Sequence, residues 1–277
     1  MKQTMRISTH DFSYICQLVY DYSSVVLQPE KTYLAELYLQ PIAESAGFAS
    51  ITDLVGYLRN KPFSDLHSQV VESLVTNETF FFRDRHPFEA LKEFVLPELI
   101  AKRTIERSLN IWCAACSNGQ EPYSIAMLIK ESFPMLSNWT WKLIASDFSS
   151  KVLARATEGR YNQLEIQRGL PKNFRDRYFQ QLDSSWQIQP EILQMVEFRQ
   201  INLLECWPIF PKQDVIFLRN VLIYFDTATK KALLKKIRHK LNPDGYLFLG
   251  NAETTIHLDS GFTRVQFDKA ICYRLNK

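Results

Sequence analysis

The sequence predicts an α/β protein, a doubly wound and mostly parallel sheet, preceded by a small all-helical unit. Two observations carry this. Apolar residues in the first 75 positions recur at helical spacing, whereas after residue 105 short apolar runs alternate with amphipathic helices. Strands alternating with helices imply a parallel sheet covered on both faces, and the last two runs, on either side of Asp268-Lys269, close it with an antiparallel pair.

In the N-terminal unit, His10 to Val26 carries Phe12, Ile15, Leu18 and Val19 close to a helix period. Thr32 to Ala46 repeats the pattern with Tyr33, Leu34, Leu37, Leu39 and Ile42, and Gly47 stands where a helix stop belongs. Ser50-Ile51-Thr52-Asp53 starts a third helix and Ser64 to Leu74 forms a fourth. In the second unit, strands are expected at 110–115, 141–146, 214–218, 246–250, 262–267 and 270–275, and helices at 121–130, 149–157 and 227–241. Pro243-Asp244-Gly245 reads as a turn. Trp186-Gln187-Ile188 and Met195 to Phe198 alternate like a pair of strands, which predicts a small antiparallel insert near 179–200.

With 46% hydrophobic and 23% charged residues the chain has the composition of a globular protein, and its longest apolar runs are too short to span a bilayer. The N-terminus lacks a signal-peptide core, so a cytoplasmic location is expected without membrane insertion. A net charge of +3, with no arginine–aromatic block, argues against nucleic acid. Five cysteines do not suggest a disulfide scaffold. Cys113 and Cys116 form a C-x-x-C with no second pair or neighbouring histidine, and Cys113 lies in an apolar strand pattern, so packing is expected and no metal.

In open parallel sheets, ligands bind beyond the carboxyl ends of the strands. The first strand ends in Ala114-Ala115-Cys116-Ser117-Asn118-Gly119-Gln120-Glu121-Pro122, small residues that admit a ligand or simply make a turn. Asp147 ends the second strand, where a carboxylate either accepts from two ribose hydroxyls or caps the following helix. Arg219-Asn220 ends a third, apolar strand; such a pair needs partners, from a ligand or from the protein itself. Between the two units, Phe80-Phe81-Phe82 stands beside Asn77, Thr79 and Arg83. These aromatics anchor a linker whose polar residues face a site, or merely staple the two units together.

Together these segments resemble the chemotaxis glutamate methyltransferase family of the CheR type. The resemblance rests on Thr-Asn-Glu-Thr at 76–79 with Arg83, and on the run from Trp112 to Ala126. It continues through Ala145-Ser146-Asp147, Gly159-Arg160-Tyr161, Asn202-Leu203-Leu204, Arg219 to Phe225, and Gly245 to Gly250 with Glu253 behind. In one order and spacing they cover roughly residues 30–275. The family fold implied is a helical domain (1–75), a linker contributing to the cofactor site (76–90) and a Rossmann-like class I methyltransferase domain (91–277).

The resemblance implies S-adenosylmethionine as cofactor, S-adenosylhomocysteine as product, and methyl esters of receptor glutamates as the result. It implies cofactor contacts from Asn77, Thr79, Arg83, Glu121, Asp147, Asn202, Leu203, Arg219 and Asn220, with Arg83 and Tyr224 nearest the transferring methyl. The implied partner is the cytoplasmic helical bundle of a methyl-accepting chemoreceptor. Three departures stand out: Gly119-Gln120-Glu121 replaces Gly-Glu-Glu, Tyr38 replaces an expected arginine on the receptor-docking helix, and the stretch after Phe179 is short and lacks glycine. The last predicts no docking on a receptor's C-terminal tether peptide. With no tetratricopeptide-like extension expected to follow residue 277, the chain resembles the stand-alone form. The alternative function is a catalytically silent cofactor-binding scaffold on a receptor array. A nicotinamide oxidoreductase would need a G-x-G-x-x-G turn where only Gly119 stands.

Overall fold

The computed structural model describes residues 7–28, 30 and 32–276. They fall into two units: the described residues of Met1–Thr76 with Tyr224–Thr229, and those of Asn77–Ile223 with Lys230–Lys277.

The first unit packs α1 (Thr9–Ser23), α2 (Thr32–Ser45), α3 (Ile51–Arg59) and α4 (Asp65–Leu74) around Ile15, Val19, Leu39, Leu54, Leu58 and Val70. Ser8 and Ser50 open α1 and α3 by accepting from the third residue beyond, Asp11 N and Asp53 N. α1 stops at Ser23, short of the expected Val26. Ser24 turns left-handed (φ 49°) with its N–H on Tyr20 O, and Val26 N donates instead to Tyr224 O at 3.0 Å. That bond and Tyr20 Oη donating to Asp226 (2.6 Å) are what join 224–229 to these helices.

The second unit begins with α5 (His86–Ala90), a π turn (Leu91–Val95) and α6 (Leu96–Lys102). It continues with β1 (Ser108–Ala114), α7 (Gln120–Ser132), β2 (Thr140–Asp147), α8 (Ser150–Glu158), β3 (Arg160–Asn162), α9 (Gln163–Gln167) and α10 (Lys172–Tyr178). Then come β4 (Phe179–Leu182), β5 (Ser185–Ile188), α11 (Pro190–Leu193), β6 (Val196–Gln200), β7 (Gln213–Leu218), α12 (Thr227–Lys240, of this unit from Lys230 on), β8 (Leu241–Leu249), β9 (Phe262–Phe267) and β10 (Ala270–Leu275). The seven-stranded sheet runs β6-β2-β1-β7-β8-β10-β9. It is parallel from β6 to β8, and β10 then pairs antiparallel with β8 and β9. Strand order reverses between β1 and β7, which puts the ligand crevice beyond their carboxyl ends. All six residues of β7 are buried, as a central parallel strand requires. At the amino ends Arg103 bridges Asp214 (2.6 Å) and Asp244 (2.8 Å), and Asp214 also accepts Asn110 N, tying β1, β7 and β8 together below the crevice.

Two expectations are corrected. Trp186–Ile188 and Met195–Phe198 do not pair: β5 lies between β3 and β4 in a separate three-stranded antiparallel sheet, while β6 joins the main sheet beside β2. β6 is an edge strand in which only Val196 is buried, and period alone does not reveal which sheet a strand joins. The turn at 243–245 lies inside β8, where five positions advance against two on β7, a bulge in a strand that otherwise continues.

Candidate functional site

The crevice floor is the loop from β1 to α7. Ala115 (φ 57°) and Ser117 (φ 50°) are left-handed without being glycine, a conformation that costs on the order of 1 kcal/mol each unless its surroundings impose it. Here they do: Cys116 N donates to Ser146 O (2.8 Å), Ser117 N to Asp147 Oδ2 (2.9 Å) and Ser117 Oγ to Asn77 O (2.9 Å). Tyr161 Oη donates to Asn118 O at 2.7 Å from the small sheet. Among the described non-glycine residues with positive φ, six of eleven belong to this site: Phe82, Asp84, Arg85, Ala115, Ser117 and Asn220. Strain concentrated in this way marks a place where the chain is held for a purpose other than its own stability.

Arg219, at the end of β7, is the hub. Its buried guanidinium donates to Glu121 Oε2 (2.6 Å), Asp84 Oδ2 (2.6 Å) and Arg83 O (2.9 Å), with its carbon 5.7 Å from the Phe88 ring centre. The linker, the first turn of α7 and the end of β7 are therefore drawn onto one cation. Burial pushes the Glu121 carboxyl up, and the charges of Arg219 and Arg83 pull it back down. Ser124 on α7 adds a tie, accepting Phe82 N at 2.9 Å while donating to Gln120 O.

The neighbouring residues are each fixed by local bonds. Asp147 accepts Ser117 N and Ser149 N, one on each oxygen. Asn202 Oδ1 accepts Leu204 N, closing its own turn. Leu203 O accepts from Lys236 Nζ (2.8 Å) and Trp207 Nε1 (3.1 Å), and Trp207 packs edge-on against the buried Trp112 of β1. Asn220 is left-handed (φ 59°) and its N–H donates to Glu253. Arg83 Nη1 donates to Glu78 O at 2.7 Å. Thr79 is half-buried in the same segment. Tyr224 ends a 3-10 turn (Leu222–Tyr224) and clusters with the helical unit.

Within the second unit, the sequence-predicted residues Asn77 and Arg83 thus lie in the linker, Glu121 in the first turn of α7, Asp147 at the end of β2, and Arg219 and Asn220 just after β7. Arg219 and Glu121 spend these contacts on each other, so the protein's own pairing, one of the two readings open from sequence, holds for that guanidinium. Sequence reasoning missed Asp84, Ser117 and Ser124, and it gave Glu253 no role. Glu253 accepts from Asn220 N (2.8 Å), Val221 N (2.8 Å), Ile223 N (3.2 Å) and Gly250 N (2.6 Å) and so shapes the whole 220–223 turn. A Cβ on Gly250 would lie 2.9 Å from the backbone N of Asn220, besides 2.7 Å from its Nδ2 and 2.8 Å from Glu253 Oε2, so any larger residue would have to push the 220 turn aside. The pairing of a glycine strand end with an acid three residues on was the available signal.

These features fit a nucleoside-bearing group: a small-residue loop, a strand-end carboxylate, and at the start of α7 the buried Gln120 Oε1, which has no hydrogen-bond partner among the described residues. Residues 77–271 match the family model described as "CheR methyltransferase, SAM binding domain". The chain belongs to the CheR methyltransferase family. It is 40% identical to chemotaxis protein methyltransferase Cher2 of Pseudomonas putida over 90% of this chain and 92% of that one. It is 34% identical to chemotaxis protein methyltransferase 1 of Vibrio cholerae over 97% and 98%. Among solved structures, the magnesium protoporphyrin IX methyltransferase of Synechocystis covers 82% of this chain and 92% of that one at 14% identity and a TM-score of 0.37, a likeness too loose to bear on function. As a CheR family member the protein is an S-adenosylmethionine-dependent methyltransferase. No helix among the described residues is long and apolar enough to cross a membrane. The cysteines of the C-x-x-C are buried, and burial pushes both thiols well above their ordinary range.

Proposed function

We propose that this enzyme transfers the methyl group of S-adenosylmethionine to glutamate side chains in the cytoplasmic helical bundle of a chemoreceptor. The observation that supports the reading is the Arg219 hub: by donating to Arg83 O and to the Asp84 carboxylate it fixes the linker segment whose arginine would receive a carboxylate. The bound cofactor supplies a methyl group on a sulfonium cation. A glutamate carboxylate, with a reference pKa of about 4.3, is already ionised at neutral pH, so the chain need provide no general base. Arg83 would hold that carboxylate by paired hydrogen bonds, and Tyr224 would direct one oxygen with its hydroxyl. With charges that cancel as the methyl moves, a site that excludes water favours reaction, and placement in line is the protein's main task.

In this reading Asp147 accepts from the ribose hydroxyls. Asn77, Thr79, Arg83, Glu121, Asn202-Leu203 and Arg219-Asn220 line the cofactor, with Glu121 and Arg219 doing so from within their mutual ion pair. S-adenosylhomocysteine leaves as product. The receptor meets the enzyme in the cytoplasm, and the tether peptide is not part of the encounter. The test is transfer of tritiated methyl from S-adenosylmethionine to receptor-bearing membranes. Base-labile label on the receptor supports carboxyl esterification; base-stable label refutes it in favour of another acceptor atom, and no label refutes it and leaves the silent-scaffold alternative.

A further inference from the structure

The net charge of +3 is unevenly spread. Six of the chain's cations, Lys230, Lys231, Lys235, Lys236, Arg238 and Lys240, stand on the last three turns of α12, a stretch without an acid, so the remainder of the chain carries a formal −3. Inside the second unit this part of α12 buries Leu233, Leu234 and Ile237 and turns Lys231, Lys235 and His239, spaced four apart, to solvent on one face. Arg238 pairs with Asp259 at 3.3 Å, whereas Lys230, Lys231 and Lys235 have no ion pair among the described residues. The loop before β7 lies against the same helix. Lys236 Nζ donates to Leu203 O (2.8 Å) and Glu205 O (2.5 Å) and sits 4.3 Å from the centre of the Trp207 ring. Lys240 Nζ donates to Phe210 O (2.8 Å) and sits 4.1 Å from the Phe210 ring centre. With its aromatics spent on these lysines, the loop presents Ile209 fully exposed between Pro208 and Phe210. Exposed Lys212 follows, next to Gln213, whose register partner is Leu241 at the end of the helix. The loop's one acid, Glu205, accepts from Asn202 Nδ2 at 3.0 Å.

A face of lysines without facing acids attracts polyanions. Base stacking needs free aromatic rings, and Trp207 and Phe210 already lie on lysines. Bidentate recognition of a carboxylate or a phosphate favours arginine, and the one arginine of the face is paired. Point charges beside a single protruding aliphatic tip suit a bilayer surface instead: the lysines meet anionic headgroups while the tip enters the interfacial layer. We propose that α12 from Lys230 on, together with Ile209 and Lys212, is a peripheral docking surface for an anionic lipid bilayer. The contact is weak, reversible and led by charge, and no segment spans the membrane.

Sedimentation of the full-length protein with lipid vesicles tests it, using phosphatidylcholine alone and phosphatidylcholine in which roughly one lipid in three is phosphatidylglycerol. A lysine close to an anionic bilayer strengthens binding about fivefold (about 1 kcal/mol), so Lys212, Lys230, Lys231 and Lys235 together predict half-saturation at roughly millimolar lipid. Phosphatidylcholine alone should retain nothing. Binding should fade from 0.1 M to 1 M salt, where the Debye length shrinks from about 10 Å to about 3 Å. The double variant Lys231→Gln/Lys235→Gln should bind about 25-fold more weakly, and Ile209→Ser severalfold more weakly with the same salt dependence. Both should bind S-adenosylhomocysteine and unfold on heating as the wild type does. If one of them unfolds early, Lys212→Gln, outside every helix and strand, reads the charge effect at about fivefold. Equal binding with and without phosphatidylglycerol, or variants that bind like the wild type, overturns the proposal. Tighter binding of polyglutamate or of a short DNA duplex also overturns it and assigns the face to that polyanion. No receptor is present, so the result does not depend on what the enzyme methylates.

Discussion

Replacing Arg219 by methionine removes the cation on which three segments converge while keeping much of the side chain's volume. Glu121, mostly buried, then loses its 2.6 Å partner, and Asp84 and Arg83 O lose theirs. Removing one partner of a buried ion pair costs about 3–5 kcal/mol, because the remaining charge stays desolvated. For a unit of roughly 200 residues, at about 2–4 °C per kcal/mol, the midpoint of thermal unfolding should fall by on the order of 10 °C.

The deficit should also depend on pH, and the sign follows from Glu121. Burial already raises its folded pKa above the ordinary carboxylate value, and without Arg219 it rises further. An acid whose folded pKa lies above its unfolded one destabilises the fold increasingly as pH climbs from the unfolded value through the folded one. The variant should therefore come closest to wild type near pH 4.5 and fall furthest behind above neutrality. Differential scanning calorimetry from pH 4.5 to 8 measures this. The double variant R219M/E121Q, with no buried carboxylate left, should recover more than half of the loss at pH 8. A deficit under about 3 °C that does not vary with pH, or a double variant no better than the single, would show that the pair is not the hub assigned to it.

Other outcomes follow from the same geometry. Asp147→Ala should weaken S-adenosylhomocysteine binding by about 2–3 kcal/mol, roughly 30- to 150-fold, and lower stability too, because Ser117 N and Ser149 N lose their acceptor; unchanged affinity in calorimetry refutes the ribose role. In the native state a thiol reagent at pH 8 should modify exposed Cys206 quickly and spare Cys113, Cys116 and Cys272, the last pushed up to about 12, until the protein unfolds; rapid native labelling of the C-x-x-C would contradict its burial. Titration with tether peptides ending in an aromatic residue should give no saturable binding at millimolar concentration, because β4 and β5 are joined by only Asp183-Ser184, the first left-handed at φ 50°, which leaves little loop to admit a peptide backbone; low-micromolar affinity refutes this.

Local periodicity and strand-end chemistry were enough to foresee the second unit as a parallel sheet with its ligand loops after β1, β2 and β7. They placed β9 and β10 at their observed limits, because apolar runs and turn residues act over a few positions. The motifs were legible for the same reason: Asp147 and Arg219 stand at the ends of apolar strands, where a polar residue is conspicuous. Partnership over long separations was not legible. That β6 joins β2 rather than β5 depends on which buried faces meet, and a four-residue alternation looks the same in either sheet. The pairing of Arg219 with Glu121 and Asp84 spans 98 and 135 positions. Glu253's grip on the 220–223 turn spans about thirty. No sequence spacing encodes such bonds. They form because burying a charge or an N–H without a partner is costly, and only the packed fold decides which partner is within reach.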